Sequence, residues 1–197
     1  PSANRSKHVS PVTAQHVYDD FAGDIPLILD GGASQGGIES TVLDCTGSVP
    51  LILRAGLVTR EMIAAEVGAC ENYTLHAGER PKSPGMAYRH YAPSCRTAFF
   101  GADEQEDAIR CYREEAGRGG VPMLLCEHAV AARHSDCRLL DLGAAPEEMA
   151  ANLYAHLRTG ERAATLLIGI DPRARGGVME GVRNRLLRAF GRNAEEK

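Results

Sequence analysis

Between residues 10 and 21 the apolar positions Ala14, Val17, Tyr18 and Phe21 fall at i, i+3, i+4 and i+7, the spacing of one buried helical face. Ser10 and Pro11 precede that face. A hydroxyl can cap free backbone N–H groups and proline suits the first helical position, so the pattern predicts a helix starting there. The period then shortens. Residues 25–29, IPLIL, are an apolar run of strand length, 38–46, IESTVLDCT, alternate, and Leu51-Ile52-Leu53-Arg54 make a third strand, with turns at Asp30-Gly31-Gly32 and Gly47-Ser48. Thr59 is placed to cap a helix running to Val67, closed by Gly68. Residues 71–93 carry no period, and loops of that length in compact proteins usually have a function or lack order.

Beyond residue 93 the pattern changes. RTAFF (96–100), VPMLLC (121–126), RLLDLG (138–143) and TLLIGI (165–170) read as buried strands, and 103–116, 146–158 and 178–190 as helices between and after them. Alternating strands and helices predict an α/β fold with a small parallel, doubly wound sheet. No internal repeat or low-complexity tract interrupts it.

Composition narrows the picture. The 197 residues are 44% hydrophobic and 24% charged, an ordinary globular balance, and no apolar run reaches the roughly 18 residues of a membrane span. No basic stretch followed by an apolar core of the signal-peptide type is present. The six cysteines are scattered, with no C-x-x-C pair, which reads as reduced cytosolic thiols. The net charge is −4, and residues 1–93 hold 7 Lys/Arg against 10 Asp/Glu while 94–197 hold 15 against 16, so neither half is a basic platform for nucleic acid. Arg183, Arg185, Arg188 and Arg192 gather near the C-terminus, and their spacing predicts the solvated face of a helix, with RNA contact as the alternative. The chain opens at Pro1 without an initiating Met, as a fragment of a longer protein would.

Several groups can do chemistry. Ser2-x-Asn4 offers a hydroxyl and an amide at the head of a loop that runs into the first helix, and Ser10 is either its cap or a further ligand group. The loop GGASQGGIEST (31–41) leads into a strand and so is no P-loop, yet its glycines allow close backbone approach and Ser40 presents a hydroxyl at the strand entrance. Arg54, ending an apolar strand before Ala55-Gly56, can fork onto a phosphate or make an exposed salt bridge. The seven histidines show no metal-ligand spacing, His128 and His134 read as surface residues, and no nucleophilic triad assembles. The stretch SPGMAYRHYAP (83–93) packs Tyr88, Arg89, His90 and Tyr91 between prolines, more stacking and hydrogen-bonding capacity than a tether needs.

Taken in order, PSANRSKHVSPVTAQHV, LILDGGASQGGIESTVLD, LILRAG and SPGMAYRHYAP resemble the threonylcarbamoyl-AMP synthases of the Sua5/YrdC type, and the last motif resembles the two-domain Sua5 form. The resemblance spans essentially the whole chain, more loosely over 94–197. It implies the C-terminal part of a YrdC-like α/β catalytic domain at 1–70, a lid-like inter-domain linker at 71–93, and a small Rossmann-like Sua5 domain at 94–197. It further implies a cytoplasmic enzyme that joins L-threonine, bicarbonate and ATP, with Mg2+, into threonylcarbamoyl-adenylate and pyrophosphate. The adenylate then passes to the threonylcarbamoyl-transfer machinery that makes t6A at position 37 of tRNA.

By matching position, the resemblance assigns Ser2, Asn4, Ser10 and Arg54 to ATP and Ser40 to threonine. His90 and Tyr91, with Tyr88 and Arg89, become a lid that shields a hydrolysable anhydride from water. Lys7 stands where glycine is common, GGASQGG replaces a Pro- and Cys-containing version, and the Lys-x-Arg part of the ATP set is absent from these residues. The 197 residues alone are therefore expected to make no adenylate, and 94–197 to fold independently while 1–93 is cut quickly by protease. The rival reading is a non-catalytic RNA- or nucleotide-binding module.

Overall fold

The computed structural model describes residues 3–5, 8–74 and 92–191. The C-terminal half is a four-stranded parallel sheet of β4 (Arg96–Phe100), β5 (Pro122–Cys126), β6 (Leu139–Asp141) and β7 (Leu166–Ile170), in spatial order β4-β7-β5-β6. Helix α3 (Gln105–Gly117) and the short α4 (His128–Ala131) cover one face; α5 (Pro146–Ala163) and α6 (Val178–Ala189) cover the other. The strands alternate accordingly. Leu124 and Ile168 face α3, while Leu125 and Leu167 face α5 and α6. A parallel sheet covered on both sides must be apolar on both, which is why these strands read as continuous hydrophobic runs.

The four strands expected beyond residue 93 are all present; 96–100 keeps its bounds, and the other three are trimmed by a residue or two at one or both ends. Helix α5 runs five residues past its expected end, and α4 is too short to have left a periodic signal.

The N-terminal half is slighter. Helix α1 (Ala14–Phe21) leads through a long irregular stretch to β1 (Val42–Asp44), which pairs antiparallel with β2 (Leu51–Arg54). Helix α2 (Arg60–Val67) follows with Thr59 as its cap and Gly68 after it, as the sequence predicts, and β3 (Glu71–Asn72) returns parallel to β2. The first two residues of the expected linker thus belong to this sheet. Its own core is small, built from Ile52, Ile63 and Cys70.

Three expectations are corrected. The cap of α1 is Thr13, whose side chain accepts from the His16 amide; Ser10 lies three residues earlier with its hydroxyl committed elsewhere. IPLIL (25–29) forms no strand: no described strand pairs with it, and Leu27 and Leu29 stand 71% and 86% exposed. An apolar run becomes a strand only where a neighbouring edge takes up its backbone hydrogen bonds.

The arginines of α6 are no solvated face. Arg185 is fully buried, Arg183 forks onto Asp171 at 2.8 and 2.6 Å, and Arg188 holds Asn184 at 3.0 Å. Arg192 lies outside the described residues.

The two halves share a core. Val9 and Val12 are buried in the cluster formed by α5, α6 and the sheet, and Ile38 and Leu57 pack against it. Polar anchors reinforce the contact. Arg158 of α5 forks onto Asp20 at 2.9 and 2.7 Å and donates to the Val9 carbonyl at 2.6 Å, while Asn72 donates to Glu180 at 3.2 Å. Among the described residues no helix is long and apolar enough to cross a membrane.

Candidate functional site

Antiparallel pairing of β1 with β2 sets Val42 opposite Arg54, with a bulge between Val42 and Leu43. Ser40 and Arg54 therefore meet at the open end of the hairpin, where the Arg54 Nε donates to the Ser40 carbonyl at 3.1 Å. The approach of the two segments is tight. A Cβ on Gly56 would stand 2.7 Å from the Glu39 carbonyl oxygen, so only glycine fits there. Thr41 closes the same end by donating its hydroxyl to the Val58 carbonyl at 2.6 Å.

Beneath this pair sits Glu39. Its carboxylate accepts from the Ser10 hydroxyl at 2.7 Å, from the Tyr154 hydroxyl at 3.0 and 2.8 Å, and from the Arg185 Nε at 3.0 Å. Burial pushes the Glu39 carboxyl pKa up. The Arg185 charge and the hydrogen bonds from Ser10 and Tyr154 together outweigh it and hold the group below its usual range. Arg185 also reaches three carbonyls, Ala55 and, at 3.4 Å, Gly181 through Nη1, and Glu39 through Nη2 at 3.3 Å. A Cβ on Gly181, one turn earlier on α6, would stand 3.0 Å from the Ile38 side chain and 3.3 Å from the Ala55 carbonyl oxygen, so the bare position lets the helix lie close against both loops.

Of the residues singled out from the sequence, four are described. Ser10, Ser40 and Arg54 come together through Glu39: Ser10 bonds its carboxylate, Ser40 follows it in the chain, and Arg54 holds Ser40. Asn4 stands apart. Its amide closes the loop ahead of Val9 by donating to the Arg5 and His8 carbonyls, both at 3.0 Å. Ser2, His90 and Tyr91 lie outside the described residues, as do Lys7, Tyr88 and Arg89.

Sequence reading missed Glu39, Tyr154 and Arg158 and placed Arg185 on a solvated face, although all four hold the site in place. A signal for Arg185 exists. Val178, Val182, Arg185 and Ala189 fall at i, i+4, i+7 and i+11, which puts the arginine on the buried stripe of its helix. Arg158 likewise follows Leu153, Tyr154 and Leu157 on the buried stripe of α5. Among the described residues no three His, Cys, Asp or Glu side chains gather as a metal site.

Residues 58–191 match the family model described as threonylcarbamoyl-AMP synthase, C-terminal domain, and residues 1–56 match the Sua5/YciO/YrdC model described as telomere recombination. The chain belongs to the threonylcarbamoyl-AMP synthase family. It is similar to the threonylcarbamoyl-AMP synthase of Bacillus subtilis, 36% identical over 97% of this chain and 56% of that protein. The synthase of Schizosaccharomyces pombe is 35% identical over 80% of this chain and 43% of its own length.

Among solved structures, Pyrococcus abyssi Sua5 complexed with L-threonine superposes with a TM-score of 0.81 at 33% identity, covering 97% of this chain and 57% of that one. A variant of the same archaeal protein with an adjacent His–Tyr pair changed to alanine gives 0.80 at 30% identity. The chain thus spans about half the length of the relatives it matches. The α/β class and the parallel sheet expected of the C-terminal half agree with this family and its structures.

Proposed function

We propose that this chain serves a threonylcarbamoyl-AMP synthase, which converts L-threonine, bicarbonate and ATP into threonylcarbamoyl-adenylate and pyrophosphate in the cytoplasm. The adenylate would feed the threonylcarbamoyl-transfer machinery acting on tRNA. The observation that carries this reading is the meeting of Ser40 and Arg54, two residues 14 positions apart that the family resemblance assigns to threonine and ATP. The carbamate formed from threonine and bicarbonate must lie beside ATP for its carboxylate to displace pyrophosphate, and a serine next to an arginine at a hairpin's open end supplies adjacent polar and cationic contacts. The complex of the similar archaeal Sua5 with L-threonine supports threonine as a ligand.

On this reading Ser2, Asn4, Ser10 and Arg54 serve ATP, Ser40 serves threonine, and His90 and Tyr91 belong to a lid within 71–93, between a catalytic portion at 1–70 and an accessory domain at 94–197. The adjacent His–Tyr pair altered in the archaeal variant parallels the adjacency of His90 and Tyr91 here. Ser10 is turned inward, 4% exposed, so direct contact with ATP requires its hydroxyl to leave Glu39. Mg2+ would be held chiefly by triphosphate oxygens and water, the ligands it prefers.

The test is Arg54→Ala in a protein extended to the length of its relatives. Loss of a charge-assisted phosphate contact costs about 1.5–3 kcal/mol, roughly ten- to a hundredfold in affinity. Calorimetry should show that loss of ATP affinity with a much smaller fall in melting temperature. Unchanged ATP affinity rejects the assignment.

A further inference from the structure

We infer that Arg185 of α6 is a positioning residue for the Ser40–Arg54 site, so that the C-terminal domain sets ligand affinity in the N-terminal one. The inference rests on the functional reading above and extends it to a residue far away in sequence. Arg185 is completely buried, and its hydrogen bonds go to the neighbours of Ser40 and Arg54 rather than to those two residues themselves. It grips the carbonyls next to each of them, Glu39 before Ser40 and Ala55 after Arg54. Its Nε meanwhile pairs with the Glu39 carboxylate at 3.0 Å.

One guanidinium therefore fixes both strands of the hairpin's open end at the spacing that lets Arg54 reach the Ser40 carbonyl. A planar fork of five donors can hold a carboxylate and two carbonyls at once; an ammonium cannot reproduce that geometry. Tyr154 on α5 and Ser10 fix the same carboxylate from other directions, so the orientation of Glu39 is determined by groups from three parts of the chain.

Burying an ion pair is a weak way to gain stability, since desolvation offsets most of the attraction. Its use here is geometric. A displacement of about 1 Å at a site that aligns two substrates can cost on the order of a hundredfold in rate. That sensitivity gives a reason to anchor the hairpin to a helix packed in the larger core.

Two measurements test this. In the 197-residue chain, hydrogen exchange of Arg185→Gln should rise at 39–43 and 54–57 while β5 and β7 keep their protection. Tyr154→Phe, which removes one hydroxyl and leaves the ion pair, should give the same local pattern more weakly. Unchanged exchange in both variants, or a loss spread evenly over the sheet in both, overturns the proposal.

In the protein extended to the length of its relatives, Arg185→Gln should lower kcat/KM for threonine by roughly tenfold or more, with a raised threonine KM as part of the loss. Arg185→Lys should restore only part of it. If Ser40→Ala and Arg54→Ala weaken their ligands but Arg185→Gln and Tyr154→Phe do not, the positioning role is wrong and the functional reading stands. If Ser40→Ala and Arg54→Ala change nothing either, that reading fails and takes the inference with it.

Discussion

Residues 8–74 and 92–191 are held together in different ways. The second region has apolar clusters on both faces of a four-stranded sheet, with Leu124, Leu125, Leu153, Leu157, Leu167 and Ile168 wholly buried. The first has a core of three buried residues and leaves Leu27, Leu29 and Tyr18 open to solvent. What it lacks in core it gains by docking. Val9 and Val12 enter the other region's core, and two arginines of that region, Arg158 and Arg185, reach out to Asp20 and Glu39. The larger region is a scaffold held by dispersion and apolar burial; the smaller is held to it largely by directional polar contacts. Rigid geometry at the Ser40–Arg54 end then depends on the scaffold, although neither residue belongs to it.

The sharpest way to break the contrast is to damage the scaffold itself. Ile168 is completely buried in β7 among residues of α3 and α4. Ile168→Ala should cost about 2–5 kcal/mol, the transfer of the lost methylenes plus the cavity left behind. Because β7 also sends Leu167 into the opposite cluster, where Val9, Val12 and helices α5 and α6 pack, the whole chain should melt earlier in a single transition followed by circular dichroism. Two separate transitions would show that residues 8–74 hold their structure without the sheet.

Acid should separate the regions in the other direction. The Glu39 carboxyl is pushed up by burial, and Arg185, Ser10 and Tyr154 more than compensate. Burial likewise raises Asp20, and its hydrogen bonds from Arg158 and that arginine's charge more than compensate. Both carboxylates therefore titrate lower when folded than unfolded. The stability they give is full above the ordinary glutamate value of 4.5, shrinks below it, and is gone once pH has fallen beneath the depressed folded values. Protonation leaves two guanidiniums without their counter-charges, one of them fully buried. Hydrogen exchange measured stepwise from neutral pH downward should show 9–20 and 38–56 losing protection before β4, β5 and β7. Loss in the sheet first would mean that the polar anchors are not what holds the smaller region.

The same contrast explains what could be read in advance. β2, α2 and the four parallel strands were each predictable because their signals are local: an apolar run, a Thr cap, a closing glycine. The Ser10 cap failed because a hydroxyl that can serve a helix end can equally serve a carboxylate, and Glu39 lies 29 positions away. Ser40 and Arg54 could be named as candidates from their strand-end positions, and their meeting follows from a hairpin. The Arg185–Glu39 pair spans 146 residues, and only the helical stripe containing Arg185 hinted that this cation was inside. Contacts between the regions are where local reading loses its grip, because nothing in either segment specifies its partner.

The smallest effect belongs to the run that looked most like a strand. Leu29 is 86% exposed in a stretch with no described strand beside it, so its side chain gains almost nothing from the fold. Leu29→Ser removes apolar surface that is in water in both the folded and the unfolded chain, and it breaks none of the hydrogen bonds that anchor residues 9–20 or 39–56. Its stability change should lie within about 0.5 kcal/mol. Urea denaturation should show an unaltered midpoint, while self-association at high concentration should fall, because exposed Ile25, Leu27 and Leu29 are the kind of apolar surface that drives it. A large loss of stability from this one change would show that IPLIL is packed in solution. The smaller region would then have an apolar core of its own, and the distinction between scaffold and docked segment would not hold.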